Sequence, residues 1–455
     1  MITIHTYMRL SIIFSILFIV CPFSQAQVNY PSTPTTSTFE SIIVSAKEQI
    51  NRATLSVPDV IKNEQKRVTN QHQQTELIKA EIVRQNKGRT QPIQKGLIDT
   101  NEYKKNLAAF ESALLQLKNL ANTANPSLSE AFYITEKAFG NPYLTKAEYE
   151  QVLNKSVSFL KKWMMENGFD INDNEAKHLA IQRFMSQRLT VSEAVQMKDG
   201  KTSYKTVSHL PFFYDYNDYE AKNDHRNFFV TKCLATGGGQ CNSLPMVYLL
   251  LAEKLNTNAY LTFAPQHSFI KYINNKGEIE NYEPTSNWHI NDRWYQDNLF
   301  VSPEAIRSGI YLDTLNTRKV VANCMLELAL QYIRKMPLDE GEFLKKCLEE
   351  AYKYYPKQNN IYAYFIYSNY LHGLLTLYLN RNHITDLSQI ENDEYAYTIQ
   401  KEYQKNEKYI TELGYQDLPE EVYNDLIKEH EFKGEVQTQY KLTGKQKRNS
   451  FIEIK

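Results

Sequence analysis

The sequence predicts an α+β protein in which a cysteine-bearing helix packs on a small antiparallel sheet, with α-helical regions before and after. Three observations predict it. Leu244, Val247, Tyr248, Leu251 and Leu255 recur at helical spacing directly after Gly237-Gly238-Gly239-Gln240-Cys241. Three strand-like runs follow, Ala259 to Phe263, Phe269 to Ile273 and Glu278 to Glu283, the last two joined by the turn-forming Asn274-Asn275-Lys276-Gly277. On both sides lie long stretches with helical periodicity and few glycines.

From the start, Leu10 to Val20 is apolar except for two serines, and Ser24-Gln25-Ala26 supplies the small residues at which an export signal is cut. Residues 1–26 therefore read as a signal peptide, and the protein as exported, periplasmic or extracellular. The apolar run is short for a span, which needs about 20 residues, so a retained anchor is the competing reading. Cys21 suggests a lipoprotein as a lesser alternative, although Val20 before it is bulkier than such processing favours. Removal of 26 residues leaves a chain long enough for two or three domains of about 150 residues each.

Lys plus Arg equals Asp plus Glu at 52 each, so no strong field steers the protein to nucleic acid or to an anionic membrane surface. Four cysteines follow the signal, Cys233, Cys241, Cys324 and Cys347; they make no disulfide scaffold in so long a chain, and no CxxC pair marks a metal site.

Residues 27–125 form an N-terminal helical region. It opens on the polar linker 31–38, carries an apolar stripe at Ile42, Ile43, Ala46 and Ile50, turns strongly polar over 64–76, and ends in a helix from Glu102 to Ala121. Residues 126–316 are the core with a helical lead-in: Ser127 to Phe139, a helix opened by the Thr145/Glu148 capping box, and Asn174 to Arg188. The aromatic and acidic segment from Pro211 to Val230 either lines a cleft or packs the cysteine helix. Residues 317–455 are a C-terminal helical region, with helices at Val320 to Lys335, Glu340 to Tyr355, Asn360 to Leu379, Glu394 to Leu413 and Pro419 to His430. Ala351 to Tyr355 before Pro356 is similar to a tetratricopeptide second helix, without a second copy at that period.

Pro245 fits only a first helical turn, which sets Cys241 at the helix start. There the macrodipole and unpaired N–H groups favour a thiolate, and the glycines let a substrate or a neighbouring chain come close. A buried structural cysteine is the competing reading. A three-residue loop at Asn274 to Lys276 would set His267 opposite Glu283 on one face of the hairpin; another loop length leaves them diagonal neighbours, still within reach. Thiol, imidazole and carboxylate are the nucleophile, base and orienter of thiol acyl transfer.

These residues resemble the transglutaminase-like superfamily of papain-related cysteine enzymes. GGGQCNSLPMVYLLLAEKL is similar to its cysteine helix, APQHSFIKY to its histidine strand and NYEPTSN to its third-residue strand, over roughly Pro211 to Asn287. The resemblance implies a papain/transglutaminase-like core and a triad of Cys241, His267 and Glu283, where Asp is the usual third residue. Asn281, Asn287 and Asp292 are the fallback orienters. The backbone N–H groups of Gln240 and Cys241 are the candidate oxyanion donors. The expected activity is that of an exported cysteine peptidase or amidase, hydrolysing or transferring an amide-type acyl group of a peptide, protein or peptidoglycan-type substrate, with no cofactor or metal. The alternative is a catalytically silent binding module that engages a protein or cell-wall glycan. The lone His209, His225, His289 and His372 read as surface or satisfied core residues.

Overall fold

The computed structural model describes residues 100–417, except positions 198, 201, 220, 339–340, 356 and 385–386, together with residues 451–454. The signal segment, the rest of the region to residue 99 and the helix expected at Pro419 to His430 lie outside the described residues.

Four helices open the described chain: α1 (Thr100–Ala121), α2 (Leu128–Phe139), α3 (Lys146–Glu166) and α4 (Asn174–Ser186). α1 buries Phe110, Leu114 and Leu117. Ser127 caps α2, Thr145 and Glu148 form the full capping box of α3, and Asp173 caps α4. The chain then departs from the helical lead-in that its sequence predicts. Strands β1 (Leu189–Gln196) and β2 (Thr202–His209) make an antiparallel hairpin with Leu189 opposite His209, and β8 (Phe451–Ile454) joins the other edge of β2. The alternation of buried Leu189 and Val191 with exposed Thr190 and Ser192 carries this strand.

The middle of the chain runs through β3 (Phe213–Tyr214), α5 (Val230–Thr236), β4 (Gly238–Gly239), α6 (Ser243–Leu255), β5 (Ala259–Ala264), β6 (His267–Ile273) and β7 (Ile279–Tyr282). α6 is the buried cysteine helix, with Leu244, Val247, Tyr248, Leu251 and Leu255 all inside. It packs on β5 and β6 of the antiparallel sheet β5-β6-β7 and against α2 to α5. Carboxylates of neighbouring helices add to the caps: Glu253 of α6 accepts from the Leu128 and Ser129 N–H groups at the start of α2, and Glu136 of α2 accepts from those of Val230 and Thr231 at the start of α5.

The remaining helices are α7 (Asp292–Asn298), α8 (Pro303–Ser308), α9 (Thr317–Lys335), α10 (Glu342–Tyr352), α11 (Ile361–Arg381) and α12 (Glu394–Glu412). α9 is buried nearly all round and packs against α1, α2, α10 and α11. Helices before and after the sheet thus bury each other. Tyr355, Tyr362, Tyr364 and Tyr370 are buried in this packing. No helix among the described residues is long and apolar enough to cross a membrane.

Candidate active site

The glycine run has a packing explanation. Gly237 takes φ +79° to end α5, and a side chain on Gly239 would lie 2.6 Å from Cys233 Sγ and 2.7 Å from Ser243 Oγ. What approaches the glycines is the chain itself, since Phe213 and Tyr214 pair in parallel with Gly238 and Gly239. Asp215 leaves that pairing to form a partly buried ion pair with Lys232.

Cys241 stands just before α6, whose cap is Asn242. It is 0% exposed and packs with Ala221 and Phe228. Ser268 on β6 donates its hydroxyl to the Cys241 carbonyl at 2.5 Å, tying the helix start to the residue after His267. The Cys241 and Ser268 N–H groups favour the thiolate. Burial opposes them and prevails, with help from the charge of Glu283, so the thiol is pushed up from its ordinary range. The lowering expected from the helix start is therefore overturned: desolvation of a fully buried sulfur exceeds the effect of one helix end.

His267 and Glu283 meet as expected, by the diagonal route. Ile273 faces Ile279, two residues out of the direct opposition expected, because the loop occupies Asn275 to Gly277 and closes through Asn274 N–H to the Glu278 carbonyl. A shift of two keeps every side chain on its face. His267 Nε2 donates to Glu283 Oε2 at 2.5 Å, with both residues buried. Glu283 also accepts from Tyr295 OH at 3.0 Å, Thr285 N–H at 3.1 Å and Thr285 Oγ1 at 2.8 Å. Four donors hold the carboxylate in one position. Tyr295 stacks on Phe269 with ring centroids 4.1 Å apart, which fixes its hydroxyl.

The other ring nitrogen, His267 Nδ1, is buried and has no hydrogen-bond partner among the described residues. The fallback orienters are engaged elsewhere: Asn281 donates to Asp292, Asp292 pairs with Lys271, and Asn287 accepts from Tyr282 OH. Of the two candidate oxyanion donors, Gln240 is corrected. Its N–H donates to Ser243 Oγ at 3.0 Å within the turn that starts α6 and is not available to a substrate. The Cys241 N–H faces its own sulfur.

Of the lone histidines, His209 stacks on Phe184 and bonds its carbonyl, and His225 is buried against Glu327 at 2.5 Å. Residues that sequence reading misses are Tyr295 and Thr285. Thr285, two positions after Glu283, carries the spacing of a local side-chain turn; Tyr295 carries no local signal.

A cavity of about 110 Å³ lies beside the site. His267, Gln266 and Asn242 line it, and so do Phe228 and Phe229 from the aromatic segment; Cys241 does not. The segment therefore both packs the cysteine and walls the cavity.

No family model and no curated protein matches the chain. Among solved structures, a crystal structure of menin, described as revealing its binding site for the Mixed Lineage Leukemia (MLL) protein, is similar at 12% identity. The match covers 59% of this chain and 67% of that one with a TM-score of 0.32, a likeness too low to carry an argument.

Proposed function

We propose that the module from Pro211 to Asn287 is a papain/transglutaminase-like core and that the chain is a thiol enzyme acting on an amide or peptide-type acyl group. The observation that carries this reading is the buried His267–Glu283 pair, which spends Nε2 on the carboxylate and leaves Nδ1 without a partner on the strand tied to Cys241. Nδ1 accepts the Cys241 proton as the sulfur attacks the carbonyl carbon. The imidazolium, held by Glu283, returns that proton to the leaving amine as the C–N bond breaks. Neutral Nδ1 then takes a proton from water, which attacks the thioester and restores the thiol. The signal expected at residues 1–26 directs this activity to peptide, protein or peptidoglycan-type substrates outside the cytoplasm. A panel of peptide, isopeptide and peptidoglycan amides tests it: turnover that disappears in Cys241→Ala supports the reading, and absence of Cys241-dependent turnover on all three overturns it.

One observation favours a second reading, a binding module that keeps the fold without the reaction. The thiol is covered by Ala221 and Phe228 and held protonated by burial. Thiol-independent capture of a protein or glycan, with no turnover, would favour that reading.

A further inference from the structure

The cavity beside His267 holds chemistry that the thiol mechanism does not use. Its sides are apolar, formed by Phe132, Phe229, Phe263 and Phe365 among others. Its polar wall is one face of α9, where Asn323, Glu327 and Gln331 recur every four residues, joined by Glu136 from α2.

Both carboxylates hold protein donors. Glu136 accepts from the Val230 and Thr231 N–H groups and the Thr231 hydroxyl, whereas Glu327 accepts from His225 Nε2, Tyr362 OH and Gln331 Nε2. Gln331 is only half satisfied. It is 1% exposed, and its Oε1 has no hydrogen-bond partner among the described residues. The amide orientation is fixed, because turning it over would aim Oε1 at the Glu327 carboxylate. A buried acceptor without a donor thus faces the cavity beside two carboxylates.

The charges are unbalanced in the same direction. Glu327 has His225 and Arg334 to offset it. The groups acting most strongly on Glu136 are neutral donors and the repelling Glu327, with no cation among them; burial pushes it up to about 8. The other titratable groups lining the cavity are Cys324, Tyr311 and Tyr362, which bring no positive charge, and His267, whose Nε2 is engaged by Glu283. Asn323 adds one donor. Its Oδ1 accepts from Tyr355 OH and Asn360 Nδ2, which leaves buried Nδ2 unpartnered and suited to a carbonyl of the same ligand.

We propose that this cavity takes a substrate side chain ending in an ammonium or guanidinium group, with its stem along the aromatic wall and its head among Glu136, Glu327 and Gln331 Oε1. An ammonium supplies three donors to three acceptors, and the rings add cation–π attraction. As a substrate pocket the assignment rests on the thiol-enzyme reading, because it is His267 that brings the cavity to the chemistry. As a cation site it can be tested apart from that reading.

The test uses the full chain as Cys241→Ser, titrated calorimetrically at pH 7 with n-pentylamine and with n-pentanol. The amine is expected to bind at least tenfold more tightly than the isosteric alcohol, releasing close to one proton as Glu136 ionises against it. Gln331→Met should lower the amine preference several-fold; alcohol binding that weakens less than amine binding reports that the pocket is intact, and an unchanged preference overturns the role of Gln331 Oε1. Equal or tighter alcohol binding, or no binding of either, overturns the proposal. Wild-type protein with lysyl and norleucyl aminocoumarin amides separates the two readings. Turnover of both without a lysyl preference overturns the pocket and keeps the enzyme, whereas amine binding with no Cys241-dependent turnover of these or of the peptide, isopeptide and peptidoglycan amides keeps the cation site and overturns the enzyme.

Discussion

Replacing Glu283 by Gln removes one charge and turns one acceptor into a donor, at a residue that is 0% exposed and fully engaged. One carboxylate oxygen faces Thr285 N–H and Oγ1; the other faces His267 Nε2 and Tyr295 OH. The Thr285 N–H cannot become an acceptor, so the Gln oxygen must stay on that side and its NH₂ must turn to His267. The imidazole can then accept only by moving its proton from Nε2 to Nδ1. Nδ1 is the nitrogen proposed to take the thiol proton. Losing a charge-assisted hydrogen bond at a buried site costs about 1.5–3 kcal/mol, and a base in the wrong tautomer lowers turnover by roughly 10²–10⁴. Urea unfolding reads the first and the ¹⁵N shifts of His267 read the second. A Glu283→Gln protein as stable as wild type, with its His267 proton still on Nε2, would refute the reasoning.

Three further outcomes follow from the same structure. His178 is buried between Tyr248 OH and Thr257 Oγ1, and burial lowers it to about 4. Its neutral form belongs to the fold, so its contribution is present above about pH 6.5 and is lost as pH falls toward 4, about 3 kcal/mol in all. Urea melts between pH 4.5 and 7 should be steeper in pH for wild type than for His178→Gln; parallel curves would contradict this. Gly239→Ala sets a methyl group 2.6 Å from Cys233 Sγ and should cost about 1–3 kcal/mol, part of which Cys233→Ala restores. Additive losses in the double variant would reject that contact as the cause. Iodoacetamide should label Cys241 in the native protein with a midpoint above the free-thiol value of about 8.5, because burial raises it. A lower midpoint would restore the helix-start effect to dominance.

The cysteine helix and its sheet were legible because both signals are local. Pro245 and the spacing from Leu244 to Leu255 announce a buried helix, and a turn sequence joins β6 to β7. The meeting of His267 and Glu283 survived an error of two residues in register because such a shift preserves the face. The hairpin β1–β2 escaped because half of each strand is polar and exposed, which weakens its pattern beside strongly helical neighbours. What the sequence could not reveal depends on distant packing. Tyr295 reaches Glu283 from another helix, the cover over Cys241 comes from Ala221 and Phe228, and the cavity wall comes from α9, far along the chain. The thiol shift was misjudged for the same reason, since burial is a property of the whole fold whereas a helix end is visible locally.

The central claim is that Cys241 and His267 act together on an acyl group. The most direct measurement is brief exposure of the full chain to p-nitrophenyl acetate at pH 7, acid quenching, and mapping of the acetylated peptide by mass. The account predicts acetyl on Cys241 and a rate at least 100-fold lower in His267→Ala, in keeping with general base catalysis worth roughly 10²–10⁴. Acetylation elsewhere than Cys241, or an undiminished rate without the imidazole, would contradict it.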